Sequence, residues 1–192
     1  QQCWFWRNGV GNKIIVCGGN GAGKSTLGIY LASQLGCKFL DIEDYYFPEN
    51  QTERPYETAR TREEVSRDLL ADLNKCENCV FAAVKGNYGQ EVEALFTCAV
   101  FIEVPSELRS ARVRERSYQK FGDRIFPGGD LYEKEKRFFE MVDRRSAKDV
   151  EEWLSAVRLP TIRVDGTKTK EYNAALIVEA LRKKETSSVF KL

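Results

Sequence analysis

The chain alternates short, wholly apolar runs with longer stretches in which apolar residues recur every three or four positions. Ile14-Ile15-Val16-Cys17 and Cys98-Ala99-Val100-Phe101-Ile102 are apolar without alternation, as in strands buried on both faces. The pattern predicts strands over 13–18, 38–41, 79–85, 98–104 and 160–164. Between them, Leu27, Leu31 and Leu35 fall at four-residue spacing in 24–35. Val65, Leu69, Leu70 and Leu73 form a stripe in 62–75, and Ala174, Ile177, Val178 and Leu181 another in 170–184. Each reads as a helix with one buried face. Strands alternating with helices predict an α/β fold with a parallel sheet covered by helices.

Two segments break the rhythm: the proline-containing 45–61 and the glycine-rich 120–130. Both are expected to be mobile loops over a site. The absence of repeats, low-complexity tracts and linkers predicts one domain over 13–185, between an extension at 1–12 and a tail at 186–192. With 192 residues, 42% hydrophobic and 31% charged, the chain can bury one substantial core. Lys+Arg 30 against Asp+Glu 29 leaves a net charge of +1. No global field then draws the protein to nucleic acid or a membrane, so anion binding must come from local clusters. No apolar stretch is long enough to span a bilayer, and Gln1–Arg7 lacks the apolar core and cleavage site of a signal peptide. A cytoplasmic monomer or homodimer is expected.

Of six cysteines, Cys17 and Cys98 lie in strand patterns and read as core thiols. Cys76-Glu77-Asn78-Cys79 has C-x-x-C spacing, yet there is no second pair and no histidine to complete a metal site.

Gly18-Gly19-Asn20-Gly21-Ala22-Gly23-Lys24-Ser25 follows the first strand and opens the first helix, matching G-x-x-x-x-G-K-[ST] in full. Glycines let successive backbone N–H groups line a nest around phosphates, and the helix N-terminus adds its partial positive charge. Lys24 would reach the β- and γ-phosphates and Ser25 would ligate Mg²⁺. The candidate nucleotide-binding residues are Gly19, Asn20, Gly21, Ala22, Gly23, Lys24, Ser25 and Thr26.

Asp41, Glu43 and Asp44 stand at the carboxyl end of the second strand, where open α/β sheets bind ligands. Phosphoryl transfer needs carboxylates there to hold Mg²⁺ and to accept the proton of an attacking hydroxyl. Without histidine, any of the three is a candidate base. Arginines form a third group. Arg112 and Arg116 share a helical face, Arg124 lies in the glycine-rich loop, and Arg144-Arg145 lie on the next helix. Guanidinium groups on a closing lid can neutralise the charge that moves during transfer. Arg109 and Arg114 read equally well as members of a solvated face.

This order of parts, with Val104-Pro105 before Arg112-x-x-x-Arg116 and Ile162-Arg163-Val164-Asp165-Gly166-Thr167 near the end, resembles adenylate kinase and its relatives, including shikimate and gluconate kinases. The resemblance runs from Lys13 to Leu181. It implies a three-layer α/β/α P-loop NTPase fold, a five-stranded parallel sheet of order 2-3-1-4-5 and a lid at 120–130. Arg112 and Arg116 would be lid arginines meeting adenine and phosphates, with Arg124 beside them, and Gly166 and Thr167 would lie against adenine. Phe39-Leu40-Asp41-Ile42-Glu43 is similar to the F-x-D-x-D of shikimate kinases, with Asp41 near Mg²⁺ and Glu43 near the acceptor. Arg60 or Arg62 would correspond to the arginine that holds the acceptor's anion.

The chain also departs from the pattern. Val84-Lys85-Gly86-Asn87-Tyr88-Gly89 stands where shikimate kinases carry three glycines, and the T-G-D-x-x-R of adenylate kinases is missing, so neither shikimate nor AMP is the expected acceptor. Asp44-Tyr45-Tyr46 is closer to nucleoside and uridine-type kinases. Lys85, Asn87 and Tyr88 are candidates to read the acceptor. The implied activity is transfer of the γ-phosphoryl group of Mg·ATP to a hydroxyl or phosphate oxygen of a small molecule. The alternative is a P-loop ATPase or switch module acting on a protein partner, against which stand the endings of Val80–Lys85 and Val100–Val104, neither of which runs cleanly into Asp, and too little chain for an AAA lid domain.

Overall fold

The computed structural model describes residues 11–48 and 59–189. Strand β1 (Lys13–Cys17) leads into α1 (Lys24–Leu35), β2 (Lys38–Asp41) into the short α2 (Ile42–Tyr46), and α3 (Arg62–Lys75) into β3 (Cys79–Ala82). A single turn, α4 (Gln90–Glu93), precedes β4 (Cys98–Glu103). Then come α5 (Ser106–Phe121), a 3-10 turn at Gly122–Ile125, α6 (Tyr132–Arg144), α7 (Lys148–Val157), β5 (Thr161–Asp165) and α8 (Lys170–Val189).

All pairings are parallel and the strand order is β2-β3-β1-β4-β5, as the resemblance implies. Side-chain alternation along the strands builds two cores. On one face Ile14, Val16, Val100 and Ile102 pack against Leu27, Leu31 and Leu35 of α1 and against Ala174 and Ile177 of α8. On the other, Ile15, Phe81 and Phe101 meet Leu69 and Leu73 of α3 and Val150, Trp153 and Leu154 of α7. Three layers result because β1, β3 and β4 have no polar face to turn to water. Cys17 and Cys98 are buried thiols, as expected. Burial pushes the Cys17 thiol up to about 12, which removes it from thiolate chemistry.

Several boundaries differ from the sequence reading. β1 stops at Cys17 rather than 18, because Gly18 adopts φ +148° and its N–H turns to the carbonyl of Val84. β3 ends at Ala82, not 85; Ala83 still bonds Val16, after which the chain veers into the turn at Gly86. β4 ends at Glu103 before Val104-Pro105, and β5 occupies 161–165 rather than 160–164 because Pro160 has no N–H for the ladder. Helix α8 continues past 184 to Val189, with no glycine or proline to stop it.

Within the loop expected over 45–61, Tyr45 and Tyr46 belong to α2, while 49–58 lie outside the described residues. The loop expected over 120–130 is partly helical: Lys120 and Phe121 finish α5 and the 3-10 turn follows. It carries its own small core of Phe121, Ile125 and Leu131, backed by Phe139. Sheet bonding begins at Asn12, whose carbonyl accepts Cys79 N–H at 3.0 Å, inside the segment set apart as an extension. Residues 1–10 and 190–192 are outside the described part.

Candidate active site

The carboxyl ends of β1, β2, β3 and β4 converge on the loop between β1 and α1. Gly21 (φ +79°) and Gly23 (φ +93°) take left-handed conformations that L side chains rarely adopt, and a Cβ at Gly23 would face open space. Gly23 caps α1 without any side-chain bond, and α1 has no acid in its first turn. Its N-terminal N–H groups therefore keep their affinity for an anion. α3, by contrast, is closed by a Thr61/Glu64 capping box.

Lys24 is half-buried and donates from Nζ to Gly19 O at 3.0 Å. Burial lowers its pKa from the ordinary lysine value to about 8. The nearby Glu43 and Asp41 act in the opposite sense, and Arg116 adds to the lowering. The ammonium thus feels two carboxylates and one guanidinium of opposing effect. Ser25 Oγ donates to Asp41 Oδ2 at 2.5 Å, while Asp41 Oδ1 accepts Glu43 N–H at 3.0 Å as the cap of α2. Both Asp41 oxygens are thus aimed by the fold. Asp44 is exposed, and its carboxyl is held above the usual range by partial burial and by the charge of Asp41.

The arginines separate by position. Arg112 Nη2 donates to Gly166 O at 3.0 Å, tying α5 to the turn after β5. Gly166 lies so close to the phosphate loop that a Cβ on it would sit 3.2 Å from Ala22 O and 2.3 Å from Val104. Thr167 is folded back onto Asp165 Oδ1 through N–H and hydroxyl at 2.8 and 2.7 Å. Arg112, Gly166, Thr167 and the loop are therefore together. Arg124 is instead engaged within the 120–130 segment, bonding Asp130 at 2.9 and 2.7 Å. Thr26 is exposed on the first turn of α1.

Across the cleft, Arg60 is paired with Asp68 at 2.5 Å. Arg62 donates to Asn87 O and stands 5.4 Å over the ring of Tyr88, itself 6.4 Å from the ring of Tyr46. Lys85 is half-buried beside them in sequence.

Arg109 corrects the sequence reading. It is no member of a solvated face but 5% exposed, bonded to Asn20 O and Arg145 O, whereas Arg114 is exposed and paired with Asp143 at 2.6 Å. A signal existed: Arg109 shares a helical stripe with Val113 and Phe121. Arg145 lies just beyond α6 rather than on it, and donates to Asn20 Oδ1 at 2.9 Å.

The donor set suits the groups the motif implies. A hydroxyl and a carboxylate oxygen are hard ligands of the kind Mg²⁺ takes alongside phosphate oxygens and water. Among the described residues no trio of His, Cys, Asp or Glu forms a self-sufficient metal cage.

Sheet order, glycine cradle and helices on both faces define a small P-loop kinase fold. Residues 14–140, more than half of the chain, match the family described as AAA domain, and the chain belongs to that P-loop family. It is 27% identical over 161 residues to the uncharacterized protein YqaC of Bacillus subtilis (strain 168), covering 80% of this chain and 88% of that one. A stretch of 38 residues, 20% of this chain and 21% of the other, is 53% identical to a probable gluconokinase of Mus musculus.

Among solved structures, a gluconokinase from Sinorhizobium meliloti 1021 superposes with TM-score 0.59 at 16% identity, over 95% of this chain and 98% of that one. Deoxyadenosine kinase of M. mycoides with bound dATP gives 0.54 at 15% identity, over 88% and 99%. Shikimate kinase of Aquifex aeolicus gives 0.52 at 18%, over 91% and 98%.

Proposed function

We propose that the protein transfers the γ-phosphoryl group of Mg·ATP to a hydroxyl or phosphate oxygen of a small molecule. The observation that carries this reading is the Ser25–Asp41 hydrogen bond beside Lys24, which brings the phosphate loop and the acidic strand end into one site. Backbone N–H groups of Gly19 to Lys24 bind the phosphates, and Lys24 neutralises charge on the transferring group. Ser25 and Asp41 would hold Mg²⁺, which supplies charge neutralisation and orientation when bound.

Asp41 has both oxygens committed, which leaves Glu43 and Asp44, and of these we assign the acceptor's proton to Asp44, whose raised affinity for a proton suits a general base. Arg116 stands close enough to Lys24 to stabilise the same charge, and Arg112 with Gly166 and Thr167 frames the adenine side. Arg124 joins the phosphates once the lid closes and its pair with Asp130 opens. Arg62, with Asn87 and Tyr88, reads the acceptor, because Arg60 is neutralised by Asp68.

ADP release from ATP is the test, with nucleosides and sugar acids screened first. One acceptor should raise the rate at least about a hundredfold over the acceptor-free level. Turnover that ignores every acceptor and responds to a protein partner would instead support the ATPase module.

A further inference from the structure

Arg109 heads the buried stripe of α5, where a guanidinium removed from water is costly unless its N–H groups are bonded. Its bonds go to two neutral backbone carbonyls in segments far apart along the chain. Nη1 donates to Asn20 O in the phosphate loop at 3.3 Å, and Nη2 donates to Arg145 O, at the end of lid helix α6, at 3.2 Å. Among the described residues no carboxylate forms an ion pair with it, so its charge adds to the positive field under the loop.

The loop presses onto this group from above. A Cβ at Gly19 would lie 2.3 Å from Arg109 Nη1, and one at Gly21 would lie 2.3 Å from Arg109 O. Arg145 closes the circuit by donating from Nη1 to Asn20 Oδ1 at 2.9 Å. Beside the guanidinium opens a cavity of about 430 Å³, lined by Gly19, Pro105, Arg109, Ala147 and Asp165 among others.

We infer that Arg109 is a positioning residue that sets the shape of the phosphate loop and locks that loop to the connection at 145–147 between α6 and α7, which serves as a hinge. Loop shape and lid position then form one mechanical unit: moving the carbonyl of Arg145 pulls on the group that holds Asn20. The inference rests on the reading of Gly18–Ser25 as a nucleotide loop, but its first test needs no nucleotide.

Amide hydrogen exchange of the nucleotide-free protein should be compared for wild type, Arg109→Met and Arg109→Lys. Gly18 and Ala22 report on the loop through their bonds to Val84 O and Gly19 O, and Arg145 and Val150 report on the hinge through Val142 O and Ala147 O. Arg109→Met should speed exchange at both groups by about tenfold, the loss expected for about one net hydrogen bond, while β1 and β4 amides stay unchanged. Arg109→Lys, which can reach only one carbonyl at a time, should fall between. Mg·ATP affinity, read by calorimetry, should weaken about tenfold in Arg109→Met.

Exchange that rises equally throughout the sheet would reduce Arg109 to a general stabiliser and overturn the inference, as would acceleration at the loop alone or at the hinge alone. Wild-type protein that fails to bind Mg·ATP would overturn the kinase reading instead, and the exchange comparison would still decide whether Arg109 couples the two segments.

Discussion

Lys24 sits between two opposing demands. Burial favours its neutral form, and the triphosphate of the proposed reaction would favour the charged one. In the free protein it holds its proton below about pH 8 and loses it above. Mg·ATP affinity should therefore be level up to that point and weaken about tenfold for each pH unit beyond it, measured by calorimetry at constant ionic strength. Lys24→Met should bind more weakly throughout and lack this dependence. Asp41 and Asp44 separate in the same way. Asp44→Asn should lower the acceptor-dependent kcat by about 10²–10⁴ with Mg·ATP binding intact, whereas Asp41→Asn should raise the Mg²⁺ concentration needed for half-maximal turnover. Equal losses of both kinds in both variants would show that the carboxylates do not divide the work. A smaller case is Gly21, whose φ of +79° and contact with the Arg109 carbonyl leave no room for a methyl group; Gly21→Ala should abolish Mg·ATP binding.

Helices carry the site by their ends rather than their lengths. α1 begins at an uncapped glycine, which leaves its first N–H groups open to an anion, and it ends on Gly36, whose left-handed φ of +63° lets its N–H reach Ala32 O and Ser33 O. Its middle is anchored by Leu31, fully buried against the sheet. Leu31→Ala should cost about 2–5 kcal/mol in a denaturant titration, since the rigid sheet beneath cannot collapse into the cavity. Thr61→Ala removes the side-chain half of the α3 capping box and should cost about 1 kcal/mol. Because α3 carries Arg62 at its first position, that substitution should also weaken acceptor binding more than nucleotide binding. α5 and α6 are joined by Asp143, which accepts from both Ser110 and Arg114 at 2.6 Å, so the two helices are held to one another.

At the scale of the molecule, the crossover from β1 through β2 to β3 places the acidic strand end two strands away from the phosphate loop, yet the right-handed twist brings Asp41 within a hydrogen bond of Ser25. Ligand binding should therefore stabilise the whole fold: Mg·ATP at a hundred times its Kd should add about 2.7 kcal/mol, seen as a rise in Tm that Lys24→Ala largely abolishes. The strand pattern, the glycine motif and the acids after β2 were legible in the sequence because each depends on local periodicity or on neighbours within a few residues. The same locality explains the exact match of 24–35, 38–41 and 62–75 to α1, β2 and α3. What the chain alone could not decide was which arginine meets which partner. Arg109, Arg112, Arg116 and Arg124 look alike along a charged helix and loop. Only the folded structure buries the first under Asn20, turns the second to Gly166, leaves the third exposed within the electrostatic reach of Lys24 and pairs the fourth with Asp130. The contacts of Arg109 and Arg112 join residues far apart in sequence, so their energy exists only once the sheet has been assembled, whereas the Arg124–Asp130 pair is local to its loop.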